Sequence, residues 1–177
     1  KGESAGVHPI YRLDRNTTGL VLVAKSSKVQ HDLSKSHDQI YREYVALASG
    51  VFPEKEGTVE APIGRKDGSI IEWTVRPEGK PARTDYRVLQ QMEDFALLRL
   101  HLHTGRTHQI RVHMGYIGHP LPGDFLYNPD SPARITRQAL HSCSLDFCHP
   151  VTGEPLHFES PMPEDMNQLI ETEGFQA

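Results

Sequence analysis

Residues 82–118 read ARTDYRVLQQMEDFALLRLHLHTGRTHQIRVHMGYIG, and a change of period inside this stretch sets the fold class. ARTDYRVLQ (82–90) and FALLRLHLH (95–103) alternate as strands do. In the second, Leu98, Leu100 and Leu102 face one way while Arg99, His101 and His103 face the other. After the Thr104-Gly105 turn the alternation stops. Ile110, Met114 and Ile117 then share one face of a helix, with Thr107 as the expected cap and Gly118 and Pro120 as the stop.

The neighbouring segments extend this pattern. EYVALASG (43–50) reads as a strand running into the turn FPEKEG, and TVEAPI (58–63) and IIEWTV (70–75) read as further strands. Lys66-Asp67-Gly68 and Pro77-Glu78-Gly79 supply turn chemistry between them. Upstream, LVLVA (20–24) predicts a buried strand, and Ser26 or Ser27 caps a short helix with Val29 and Leu33 on one face. Downstream, LHSCSLDF (140–147) predicts another strand, and the tail from Pro163 a helix with Met166, Leu169 and Ile170 inward. Many strands and few helices predict an α+β fold, a mostly antiparallel sheet with flanking helices. With 177 residues and no internal repeat or linker, the whole chain is expected to form one domain.

Composition narrows the class without choosing a partner. Hydrophobic residues make up 37% and charged residues 24%, ordinary values for a globular chain. No apolar run approaches the roughly 20 residues that span a bilayer, so no membrane partner is expected. Two cysteines make no disulfide framework, and a reducing cytoplasm is the expected location. The net charge is −4, yet residues 159–177 hold five of the acids and no Lys or Arg. The other 158 residues carry 19 basic and 18 acidic groups. An RNA partner needs a local basic groove rather than a basic total, so the charge leaves it open.

Two constellations carry possible chemistry. In YRLDRNTTG (11–19), Asp14 lies between Arg12 and Arg15 in a turn. Cations within about 4–6 Å would keep the carboxylate ionised, as a nucleophile requires. The plain alternative is an Asx-turn in which Asp14 bonds its own backbone and the arginines are solvated. In GRTHQIRVH (105–113), a helix start supplies Arg106, His108 and Arg111, a donor set suited to phosphate or carboxylate. Here the alternative is an exposed basic helix face.

Taken in order, these segments resemble the RluA family of RNA pseudouridine synthases. YRLDRNTTGLVLVAK resembles the family's H-R-L-D-x-x-T-S-G motif, IYREYVAL its K-x-Y-x-A segment, and GRTHQIRVHMGYIGHPLPGD its third motif. APIGR (61–65), ARTDYRVL and LHSCSLDFCHPVTGEPLHFESPMP resemble further landmarks in family order. The resemblance implies the pseudouridine synthase fold around a central RNA-binding cleft. It implies Asp14 as the catalytic carboxylate, Tyr44 as the tyrosine stacked on the target base, and Arg111 as the arginine paired with the aspartate. Arg12 matches the arginine that fills the space left by a flipped base, and Arg15, Arg106 and His108 are expected RNA contacts. Without the motif, Tyr44 would read as a core residue of its strand. Tyr11 stands where the family usually has His. The resemblance leads one to expect that the family's opening strand and any RNA-binding appendage before R-L-D lie outside these residues, and a missing strand would leave a sheet edge open.

The implied reaction converts specific uridines of ribosomal or transfer RNA to pseudouridine. It breaks an N-glycosidic bond, turns the uracil and rejoins it through carbon, without net redox change. It needs a carboxylate near C1′, a ring to hold the loose base, and a base already out of its stack. The implied enzyme is a monomer that uses no cofactor and no metal. Two other classes compete. One is a catalytically dead RNA-binding or chaperone module, against which the intact Asp14, Tyr44 and Arg111 set speaks. The other is a His-rich metal hydrolase drawing on eleven histidines. His108 and His113 miss the i, i+4 spacing of paired helical ligands, however, and no C-x-x-C or H-E-x-x-H is present.

Overall fold

The computed structural model describes residues 6–36 and 39–173. The chain enters through three two-residue strands, β1 (His8–Pro9), β2 (Thr18–Gly19) and β3 (Val23–Ala24), followed by α1 (Ser27–Lys35). The side chain of Ser26 caps α1 by accepting from the Val29 amide, and Leu33 is buried beneath it. Then come β4 (Tyr41–Ser49), β5 (Glu56–Glu60), β6 (Ile63–Arg65), β7 (Trp73–Val75), β8 (Arg83–Gln91) and β9 (Phe95–Leu102). Helix α2 (Gln109–Tyr116), β10 (Leu140–Cys148), β11 (Pro155–Glu159) and α3 (Glu164–Glu173) complete the order.

The main sheet runs β11-β10-β4-β9-β8-β5, antiparallel throughout, and β2 joins it as a parallel neighbour of β10. It is a mixed, mostly antiparallel sheet, as expected. Strand β4 lies inside it and is buried on both faces, which explains its nearly continuous apolar run. Tyr44, Ala46 and Ala48 join Leu98, Leu100 and Leu102 of β9 and Ile110 and Met114 of α2 in one core cluster. Val45 and Leu47 point to the second, with Cys143 of β10 and Met166 and Leu169 of α3. One helix therefore covers each face.

Three expectations need correction. LVLVA is not one buried strand: Val21 and Val23 are 45% and 43% exposed. Gly19, at φ +107°, splits the run between β2 beside β10 and β3 beside β1. IIEWTV shortens to Trp73–Val75, because Ile70 and Ile71 sit exposed near the tip of the β6–β7 hairpin. Finally, Thr107 does not cap α2. His108 holds the cap position in the left-handed region without a side-chain cap, and Gln109 organises the turn instead. Its Oε1 accepts from the Thr104 hydroxyl and the Arg106 amide, and its Nε2 donates to the Arg83 carbonyl and to Thr84 Oγ1.

Candidate active site

The segment carrying Asp14 is a loop between β1 and β2, fastened at several points. The Ile10 amide donates to the Leu22 carbonyl, and the Thr17 amide closes a turn on the Asp14 carbonyl. Gln138 Nε2 donates to the Arg15 carbonyl and to Thr17 Oγ1, and Arg137 Nη1 donates to the Asn16 carbonyl. Gly19 then passes so close to β10 that a Cβ there would lie 2.1 Å from the Ser142 carbonyl oxygen. Next to this contact β10 has a bulge: Ser142 opposes Tyr44 and Ser144 opposes Glu43.

Held this way, Asp14 faces α2. Arg111 Nη1 lies 3.3 Å from Asp14 Oδ2, and Arg111 is itself only 3% exposed. Behind it, Arg111 donates through Nε and Nη2 to both oxygens of Asp124, at 2.6 and 2.8 Å. Asp124 is fully buried and also accepts from the Leu126 and Tyr127 amides. Burial pulls the Arg111 guanidinium down, but bonding to Asp124 and the charges of Asp124 and Asp14 outweigh it and hold it above its ordinary range. The Tyr127 ring lies 5.0 Å from the same guanidinium.

Asp14, Tyr44, Arg12, Arg15, Arg106 and His108 all line one cleft of about 540 Å³. Tyr44 is nearly buried in its wall, and that burial pushes the phenol above its usual range. Tyr11 is pushed up to about 12, first by burial and then by the Tyr44 phenol beside it. Arg106 is tied by Nε to the Pro81 carbonyl. His108 shares a 2.8 Å hydrogen bond through Nδ1 with the Tyr127 hydroxyl, which also accepts from the Trp73 amide. Burial lowers the His108 pKa, so the ring is neutral near pH 7.

The structure brings Asp14 and Arg111 together and leaves the flanking arginines apart. Arg12 and Arg15 are exposed, and neither makes an ion pair with Asp14 among the described residues. The cation at the carboxylate comes from α2, 97 residues further along the chain. Nor does the Asp14 side chain bond its own turn, so the Asx-turn alternative does not hold. Asp124 closes the stretch GRTHQIRVHMGYIGHPLPGD, which by itself assigns it no role. Just before it, Gly123 at φ +71° passes against the Arg137 carbonyl. The histidines are dispersed: His113 sits in the core between the Ala61 carbonyl and Thr84, and His103 pairs with Asp85 on the sheet surface. Among the described residues no three His, Cys, Asp or Glu side chains converge as a metal site requires.

The sequence pattern of the family described as RNA pseudouridylate synthase matches residues 1–116, about two-thirds of the chain. The chain belongs to that family. It is 48% identical over 175 residues to the uncharacterized RNA pseudouridine synthase YjbO of Bacillus subtilis, covering 98% of this chain and 62% of that one. It is 46% identical over 172 residues to the ribosomal large subunit pseudouridine synthase D of Nitrosomonas europaea, covering 92% and 50%. The chain thus spans about half to three-fifths of these relatives' length. Among solved structures it resembles human RNA pseudouridylate synthase domain containing 1, with a TM-score of 0.77 at 24% identity, covering 94% of this chain and 79% of that one. At that identity the match speaks to the fold.

Proposed function

We infer that residues 1–177 form a single catalytic domain that isomerises specific uridines of RNA to pseudouridine. The carrying observation is Asp14 in the wall of a cleft that also holds Tyr44, backed by the buried Arg111 and Asp124. Asp124 fixes the guanidinium bidentately, and the guanidinium in turn fixes the direction of the Asp14 carboxylate. Attack on C1′, attack on the base and removal of a sugar proton all begin from such a carboxylate. Tyr44 supplies the ring against which the uracil rests while its bond to the sugar is broken. Arg12, exposed at the cleft mouth, suits the space vacated by a flipped base, and Arg15, Arg106 and His108 suit the neighbouring RNA. An N–C bond is exchanged for a C–C bond within one nucleoside. The balance therefore calls for no redox cofactor, and in this reading the Asp14 carboxylate acts without a metal. We assign the protein to the cytoplasm as a monomer.

Ribosomal RNA is the first substrate to test, since the relative from Nitrosomonas europaea bears the name of a large-subunit enzyme; transfer RNA is the second. The purified protein is incubated with unmodified transcripts of both, and pseudouridines are mapped. New pseudouridine at a defined uridine is expected. Transcripts left unchanged, with the protein folded and bound to them, would contradict the assignment.

A further inference from the structure

Arg42 carries a charge that no carboxylate pairs with among the described residues. It lies on β4 two residues from Tyr44, so both side chains occupy the same face of the sheet. It is only 4% exposed, and it lines the same cleft as Asp14. Among the described residues its guanidinium makes no ion pair and no hydrogen bond, and its buried Nε has no partner. Arg111, the other buried arginine of the site, is by contrast paired on three nitrogens. The Arg42 guanidinium stacks 4.8 Å from the centre of the Tyr11 ring. On another side it meets Gly105, where a Cβ would lie 3.3 Å from Nη2. It thus sits between the loop that carries Asp14 and the turn that leads into α2.

A buried guanidinium without a counter-charge is costly, and arginine offers five donors in a planar fork that matches a phosphate. On the reading of the cleft as an RNA isomerisation site, we propose that Arg42 binds the backbone phosphate adjoining the uridine whose base rests on Tyr44. A phosphodiester supplies both the missing charge and the missing acceptors. A uracil carbonyl would supply an acceptor alone and leave the charge unbalanced. Arg42 would then serve to seat the strand, with Asp14 left to the chemistry.

The test uses the whole protein and a short oligouridylate. Log affinity is measured against log salt for wild type, Arg42→Gln and Arg42→Lys. Each phosphate neutralised on a single strand contributes about −0.7 to that slope. Arg42→Gln is expected to weaken binding at least tenfold at low salt and to flatten the slope by about 0.7, and Arg42→Lys to restore the slope. Weaker binding with an unchanged slope would mean a base carbonyl and overturn the phosphate assignment, as would unchanged binding. A wild-type slope of zero would instead sink the RNA reading itself, so the two failures are separable. Thermal unfolding of Arg42→Met without RNA guards against a purely structural role. Removing an uncompensated buried charge should leave Tm at or above the wild-type value, whereas a clear fall would make Arg42 a packing residue.

Discussion

Arg111 gives Asp124 a bidentate pair at 2.6 and 2.8 Å and keeps its remaining nitrogen, Nη1, for Asp14 at 3.3 Å. The buried aspartate therefore acts on the cleft through the arginine. Asp124→Asn would put an amide donor against a guanidinium donor. Removing one member of a buried ion pair typically costs about 3–5 kcal/mol. We expect a lower Tm and at least a tenfold drop in turnover, with RNA affinity little changed. Turnover at the wild-type level would disconnect Asp124 from the site.

Gly19 is expected to be irreplaceable for a related reason. Its φ of +107° and the 2.1 Å approach of a built Cβ to the Ser142 carbonyl oxygen leave no room for a side chain. Gly19→Ala should destabilise the protein by about 1–3 kcal/mol through backbone strain, and by more if β2 leaves β10. Because β2 follows the Asp14 loop, turnover should fall more than unfolding alone explains. Circular dichroism melts and rates measured well below Tm separate the two effects.

These two positions also mark what could be read from the sequence. The long strands β4, β8, β9 and β10 and the helices α1, α2 and α3 were legible from their apolar runs and spacing, although β4 and α2 are buried on more than one face. The site was legible where a motif is local, as in Arg12 to Asp14 or His108 to Arg111. It was not legible where tertiary contact decides. The Asp14–Arg111 pair joins segments 97 residues apart, and Arg42 is conspicuous only once it is seen to make no ion pair among the described residues. LVLVA failed as a strand because a glycine with positive φ redirects it between two sheets, which hydrophobicity does not reveal. Strand β11 is not legible in the sequence, because its residues, PLHFE, lie at the sheet edge with little burial to set a period.

Stability should fall on acidification, with His113 as one cause. Its Nε2 donates to the Ala61 carbonyl, so Nδ1 accepts from the Thr84 hydroxyl, and burial lowers its pKa below the ordinary 6.5. A depressed folded-state pKa contributes stability that is present above 6.5 and lost as pH falls through the folded value. Tm should therefore decline as pH falls below about 6.5, and less steeply in His113→Gln, which starts from a lower Tm. Parallel declines would assign the acid sensitivity to other groups.

Arg12 should matter in proportion to the stacking that has to be undone. It is exposed at the cleft, without an ion pair among the described residues. Flipping a stacked uridine costs a few kcal/mol, part of which an inserted guanidinium can recover. Arg12→Ala should slow turnover of a structured RNA at least tenfold more than that of a short single strand. Equal slowing on both would make Arg12 a support for the Asp14 loop.

If the Asp14 carboxylate is the essential reacting group, Asp14→Asn should abolish turnover and leave the fold intact. The change keeps the shape and removes the charge, in a residue partly open to the cleft whose only side-chain hydrogen bond among the described residues is with Arg111. With pseudouridine formation followed on a substrate turned over by wild type, the variant should bind RNA and keep Tm within a few degrees. Its turnover should fall below about one-thousandth of wild type, the scale of loss typical for a deleted nucleophile. A folded variant that retains more than that would contradict the account.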